Sequence, residues 1–233
     1  MRYWVVMPAA GAGRRFGGAL PKQHGPLASS TVVEVALRPF IADARCLKVA
    51  LALDAGSLQD NALRSRLPAK VLTIAGGHER SDSVLNGIEA LSGMASASDW
   101  VLVHDGARPC LSARDLDSLL LAGAGQPHGA LLAAPVADTL KLSDASRRCE
   151  RTVDRAGLWR ALTPQMFRLG ALQAALRAAR ESGRTPTDEA QAMEWQGANA
   201  LIVEASDANI KITNREDLVV AEAILAARSG GGL

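Results

Sequence analysis

The sequence has little excess charge of either sign, no paired cysteines and no long apolar run, and each absence removes a class of function. Lysines and arginines number 26 against 24 aspartates and glutamates, a formal net charge of +2 over 233 residues. A protein that neutralises many nucleic-acid phosphates needs a basic stripe, so no nucleic-acid partner is expected. The three cysteines, Cys46, Cys110 and Cys149, are odd in number and far apart. They form no CxxC pair and have no histidine at zinc spacing, which reads as reduced intracellular thiols. The apolar run from Tyr3 to Met7 is too short for a secretory leader, and its arginines follow it rather than precede it. Nothing else approaches the length of a membrane span, so the expectation is a cytoplasmic protein without a membrane partner. An organelle stroma, with the targeting peptide absent, is the variant of that reading.

What is present is enough apolar residue, 48% of the chain, to bury one sizeable core, and a single domain over residues 1–233 is expected. Short apolar runs at Tyr3 to Met7, Leu47 to Leu53, Val71 to Ala75, Trp100 to His104, Ala130 to Ala134 and Ala200 to Val203 read as strands. Their near-continuous apolar character suggests a parallel sheet covered on both faces. Between them, Thr31 with Glu34, Ser112 with Asp115 and Thr213 with Glu216 have the spacing of a helix cap and its reciprocal acid. Alternating strands and helices give an α/β fold with a doubly wound, mostly parallel sheet. Ligands of such folds bind beyond the carboxyl ends of the strands. One stretch departs from this alternation. Asp138 to Leu142 and Cys149 to Val153 flank a turn-rich segment and read as a β-hairpin arm over residues 136–160. An isolated hairpin is marginal in water, so the arm is expected to pack on a partner subunit, a mobile surface excursion being the alternative. The tail from Ser229 carries three consecutive glycines and is expected to be disordered.

Directly after the first strand stands Pro8-Ala9-Ala10-Gly11-Ala12-Gly13-Arg14-Arg15, small residues that let backbone N–H groups approach an anion, followed by two cations. This is the pattern of a phosphate cradle. No Gly-Lys-Ser/Thr triplet closes it, so it is not a Walker A loop. The dinucleotide fingerprint is met at Gly11 and Gly13 but not at Phe16, where a third small residue is needed; Glu34 would be its ribose acid, and NAD binding stays open at this point. Lys22 follows on the same loop, and with Arg15 it can grip a triphosphate from two directions. Hydride transfer has no use for that density of cations, whereas nucleotidyl transfer depends on positioning and charge stabilisation. Asp105, just past the fourth run, is a magnesium ligand or a loop cap.

Several segments, in order and spacing, resemble one family. They are the cradle, Pro21-Lys22-Gln23, Gly76-Gly77-His78-Glu79-Arg80-Ser81-Asp82-Ser83-Val84, His104-Asp105-Gly106-Ala107-Arg108-Pro109, Thr152-Val153-Asp154-Arg155, Leu162-Thr163-Pro164-Gln165, Thr187-Asp188-Glu189-Ala190 and Asn209-Ile210-Lys211-Ile212-Thr213. The family is that of the 2-C-methyl-D-erythritol 4-phosphate cytidylyltransferases of the non-mevalonate isoprenoid pathway. The resemblance implies a nucleotidyltransferase fold and direct in-line displacement on the α-phosphorus of CTP by the phosphate of 2-C-methyl-D-erythritol 4-phosphate, with Mg²⁺ or another divalent cation as cofactor. It implies that Arg15 and Lys22 stabilise the transition state, and that Arg155 and Lys211 hold the acceptor phosphate. By the same carry-over, Ala9, Ala10, Gly11, Gly13, Gly77, Arg80 and Ser83 meet CTP. Asp105, Arg108, Thr139, Thr163 and Thr187 surround the acceptor, and Asp105 also holds the metal. The arm with Thr139 and Arg155 resembles a dimerisation arm, which implies a homodimer. Where the family often has an acid before Asn-Ile-Lys, this chain has Ala208, with Asp207 one place earlier, and His24-Gly25 replaces an aromatic continuation. The competing readings are a cytidylyltransferase for another polyol phosphate such as ribitol 5-phosphate, a dinucleotide-dependent oxidoreductase, and a nucleotide-binding module without activity.

Overall fold

Strand β1 (Tyr3–Ala9) buries six of its seven side chains, so neither of its faces can meet water and the chain must cover both. The computed structural model, which describes residues 1–11 and 25–229, covers them with helices. After β1 come the short pair β2 (Pro26–Leu27) and β3 (Ser30–Thr31), then α1 (Val32–Ala42), β4 (Cys46–Leu53), α2 (Ala55–Gln59), α3 (Asn61–Arg66), β5 (Val71–Ala75) and α4 (Arg80–Leu91). The second half runs β6 (Trp100–Val103), α5 (Ala113–Gly123), β7 (Ala130–Pro135), β8 (Leu140–Ser143), β9 (Cys149–Val153), β10 (Trp159–Arg168), α6 (Leu169–Glu181), α7 (Glu189–Glu194), β11 (Leu201–Glu204) and α8 (Glu216–Ser229). Among the described residues no helix is long and apolar enough to cross a membrane.

The side-chain alternation of β1 sorts the two cores. Tyr3, Val5 and Met7 pack with Val33, Leu37 and Phe40 of α1 and Leu116, Leu119 and Leu120 of α5. Trp4 and Val6 point the other way, to Val84, Leu85 and Ile88 of α4 and Leu169, Leu172 and Leu176 of α6. Gly87 lets α4 lie close on the sheet, because a Cβ there would stand 2.4 Å from Val6 Cγ1. The sheet order is β11-β7-β10-β6-β1-β4-β5. Every neighbouring pair is parallel except those of β10, which runs antiparallel to β6 and β7. From β1 the chain winds outward through β4 to β5, then crosses back to β6 on the other side of β1. The strand order therefore reverses between β1 and β6, where a doubly wound sheet opens a crevice.

Two details of the sequence reading are corrected. No strand was expected over β10, a central strand that begins where the expected arm ends. Pro164 stands inside it without an N–H, and the ladder to β7 shifts register between Ala161 and Gln165. The hairpin proper is β8 with β9, a separate antiparallel pair closed by Asp144, whose Oδ1 accepts from the N–H groups of Ser146 and Arg148. The caps at Thr31–Glu34 and Ser112 form as expected, each worth about 1 kcal/mol. The cap of α8 falls one residue later: Asn214 and Asp217 exchange hydrogen bonds at 2.9 and 3.0 Å, in place of Thr213 with Glu216. The tail beyond Ser229 lies outside the described residues.

Candidate active site

Three loops leave the carboxyl ends of β1, β5 and β6 and enclose one cleft. Pro8 to Gly11 form one wall, and Gly77 to Arg80 with Ser83 form the next. Gly77 must be glycine, since a Cβ there would sit 2.2 Å from the Cβ of Asp82 as the loop folds onto the first turn of α4. Ser83 Oγ accepts from the Gly77 N–H at 2.9 Å and donates to the Glu79 carbonyl at 3.2 Å, so this hydroxyl builds the loop. The floor is Asp105, with Ala107 and Lys211 beside it. A second hollow continues past Asp105, bounded by Arg108, Leu162, Thr163, Gln165, Thr187 and Asp188. Arg80, Asp105 and Lys211 border both hollows and form the seam between them.

Charge is concentrated at that seam. Asp105 Oδ1 accepts from Arg80 Nε at 2.8 Å, and Oδ2 pairs with Lys211 Nζ at 2.7 Å. Arg108 Nε stands 3.8 Å from Oδ2, while its Nη1 donates to the Asn209 carbonyl at 2.7 Å. Burial alone would push the Asp105 carboxyl up, but the charges of Arg80, Lys211 and Arg108 outweigh it and hold Asp105 well below the usual carboxylate range. Arg80 donates from both terminal nitrogens to the Glu189 carboxylate, at 2.6 and 3.1 Å. Burial works against the charged form of Arg80, and the two carboxylates reverse that and keep its proton firmly on. Arg108, largely enclosed, is shifted down by burial.

A second network fixes the loop that carries Asp105. His104 is fully buried, and burial pushes its imidazole down to about 4, so the ring is neutral at physiological pH. Its Nε2 lies 3.0 Å from the Arg108 carbonyl, which can only accept, so Nε2 carries the proton and Nδ1 accepts from the Thr163 hydroxyl at 2.9 Å. Thr163 Oγ1 in turn accepts from the Asp105 N–H at 3.1 Å. Asn209 Nδ2 donates to the Thr163 carbonyl at 2.7 Å, tying the Lys211 segment to β10.

Of the residues singled out in sequence, Ala9, Ala10, Gly11, Gly77, Arg80, Ser83, Asp105, Arg108, Thr163, Thr187 and Lys211 all border this cleft. Thr139 and Arg155 do not: they are exposed on the arm and border neither hollow of their own chain. Gly13, Arg15 and Lys22 lie outside the described residues. Asp207 pairs with Arg160 on the surface. Sequence reasoning assigned no role to Glu189, His104 or Gln165, although all three stand inside the motifs; the signal was a polar residue within two positions of a site residue.

The chain is similar to known proteins over nearly its whole length. The family model of 2-C-methyl-D-erythritol 4-phosphate cytidylyltransferase matches residues 3–227. The chain is 50% identical to the 2-C-methyl-D-erythritol 4-phosphate cytidylyltransferase of Acidithiobacillus ferrooxidans, over 99% of each chain. With that of Hahella chejuensis it shares 43% identity, over 96% of this chain and 93% of the relative. The crystal structure of the Francisella tularensis enzyme superposes with a TM-score of 0.84 at 32% identity, covering 96% of this chain and 100% of that one. The chain belongs to the 2-C-methyl-D-erythritol 4-phosphate cytidylyltransferase family.

Proposed function

We propose that the cleft transfers the cytidylyl group of CTP to the phosphate of 2-C-methyl-D-erythritol 4-phosphate. An acceptor phosphate oxygen forms a bond to the α-phosphorus, the bond from that phosphorus to the β-phosphate bridge breaks, and its electron pair leaves with pyrophosphate. The observation that carries this reading is the pair of hollows meeting at Arg80, Asp105 and Lys211. One hollow has walls of small residues and backbone, suited to a base, a ribose and the nearest phosphates. The other presents Arg108, Thr163, Thr187 and Lys211, cations and hydroxyls suited to a polyol phosphate. The attacking and leaving groups of a phosphoryl transfer must lie on opposite sides of one phosphorus, and two hollows meeting at a seam are compatible with that requirement.

In this scheme Lys211 and Arg155 hold the acceptor phosphate, while Arg15 and Lys22 offset charge on the pentacoordinate transition state. Among the described residues no group of three or more His, Cys, Asp or Glu is placed to hold a metal by itself. Asp105 nonetheless fits Mg²⁺, which takes one or two protein oxygens and completes its shell with phosphates and water. Among the described residues its Oδ2 faces the part-exposed Lys211 and a distant Arg108, leaving lone pairs for a cation. When bound, Mg²⁺ would neutralise charge on the triphosphate. Thr139 and Arg155, remote from their own cleft, would serve the site of a second copy in a cytoplasmic homodimer.

The test is pyrophosphate release from CTP with a panel of acceptors. Turnover is expected with methylerythritol phosphate and divalent metal, with ATP and ribitol 5-phosphate far slower. Equal rates with ribitol 5-phosphate, or full activity in excess chelator, would remove the acceptor assignment or the metal.

A further inference from the structure

Glu189 is 1% exposed, and a carboxylate that deep costs several kcal/mol unless a cation faces it. The cation is Arg80, which meets both carboxylate oxygens. The same guanidinium turns its Nε to Asp105. Three of the five N–H donors of Arg80 are thereby fixed in one plane. Glu189 borders neither hollow, and among the described residues the site side chain that its carboxylate grips is Arg80. It is itself held by the sheet. Gln165 of β10 accepts from the Ala190 N–H at 2.8 Å and donates to Asp188 at 2.9 Å, fixing α7 on either side of Glu189.

The two ends of this linkage belong to different parts of the site. Arg80 opens α4, beside the nucleotide wall, whereas Glu189 opens α7, next to Thr187 and Asp188 of the acceptor hollow. A guanidinium gripped only through Nε would rotate about its stem; gripped at both ends it holds Asp105 Oδ1 and leaves Oδ2 turned to Lys211. We propose that Glu189 is a positioning residue for cytidylyl transfer: by clamping Arg80 it sets the direction of the Asp105 carboxylate at the seam where the two substrates meet.

The proposal rests on the cytidylyl-transfer reading, and wild-type turnover in the same assay tests that reading separately. Glu189→Gln keeps the shape and one acceptor but removes the charge; Glu189→Asp keeps the charge but cannot reach both terminal nitrogens. In steady-state kinetics at saturating metal, kcat per folded molecule should fall roughly tenfold to a hundredfold in Glu189→Gln, the scale of a misplaced reacting group. The KM for CTP should change less than kcat, since Arg80 is one residue of a nucleotide wall otherwise built from Pro8 to Gly11, Gly77 and Ser83, and Glu189→Asp should fall between Glu189→Gln and wild type. A purely structural role would lower the folded fraction and leave kcat per folded molecule unchanged. Should Glu189→Gln fail to fold, Glu189→Asp carries the test alone. Full kcat in whichever variant folds, or a loss matching its loss of folded protein, overturns the proposal; loss of folding in both assigns Glu189 to the fold and overturns it equally.

Discussion

Replacing Arg80 by methionine should destabilise the protein more than replacing Glu189, and replacing both should recover most of the loss. Glu189 has no other ion-pair partner among the described residues and is 1% exposed, so Arg80→Met strands a buried charge. Breaking a buried pair in this way costs about 3–5 kcal/mol. The Arg80 side chain is 27% exposed, which places the expectation at the low end, about 3 kcal/mol. For a chain of this size that corresponds to a fall in melting temperature of roughly 10 °C. Glu189→Met leaves Arg80 still paired with Asp105 and touching water, so the loss should be about half as large. In the double variant neither charge is stranded, and an apolar pair of similar volume is often neutral. The coupling in a double-mutant cycle should therefore be favourable and at least about 2 kcal/mol. Urea denaturation at neutral pH, followed by two probes to establish a single transition, measures all three variants. A double variant as unstable as the two single losses added together would refute the reasoning.

Two further outcomes follow from other parts of the molecule. Glu34 would be pushed up by burial, but hydrogen bonds from Thr31, Arg66 and Ser30 pull it down to about 2 from 4.5. A depressed carboxyl stabilises above its unfolded pKa, and that stability is lost as pH falls from about 4.5 towards 2. Glu34→Gln should thus be less stable by roughly 2 kcal/mol at pH 7, discounted for the half-exposed Arg66, and urea titrations should show the gap closing towards pH 3; a gap independent of pH would sink it. If the arm serves a partner's site, mixing Asp105→Asn with Arg155→Ala under subunit exchange should restore roughly a quarter of wild-type activity, because half the dimers are mixed and each has one intact site. No recovery despite demonstrated exchange would reject the shared site.

The parallel strands were legible because burial on both faces leaves an uninterrupted apolar run, as in Val49 to Leu53 and Trp100 to Val103. Capping at Thr31 was legible because side chain and backbone meet within four residues. β10 was not: its exposed first turn and Pro164 carry the marks of a loop, and only its two neighbours, β6 and β7, make it a strand. The same limit applies to the site. Small residues after a strand and a carboxylate past a strand end are local signals, so Gly11 and Asp105 could be read directly. Glu189 is 109 residues from Arg80, and no spacing rule predicts that pair. Resemblance named the segment that holds it, but only the packed structure gives the residue a role.

The pairing at the seam also separates two tasks that one cluster of charges must perform. Arg80, Arg108 and Lys211 face Asp105 and Glu189, three cations against two carboxylates, so the cluster is nearly neutralised before any substrate arrives. Unpaired, these groups would repel one another and would hold solvent that transfer must displace. Paired, Arg80, Arg108, Asp105 and Glu189 are already largely enclosed and oriented, the condition under which fixed charges stabilise a transition state without reorganising. The degree of burial then divides the labour. Glu189 and Asp105 are enclosed, and the Arg80 clamp between them is fixed at three donors, so this part sets geometry. Lys211 is 38% exposed and, among the described residues, tied to the cluster through its contact with Asp105, so it can turn to an incoming phosphate while Asp105 stays held by Arg80. A cation that moves needs a carboxylate that does not, and the chain from Gln165 through α7 to Glu189 and Arg80 is what keeps that carboxylate still.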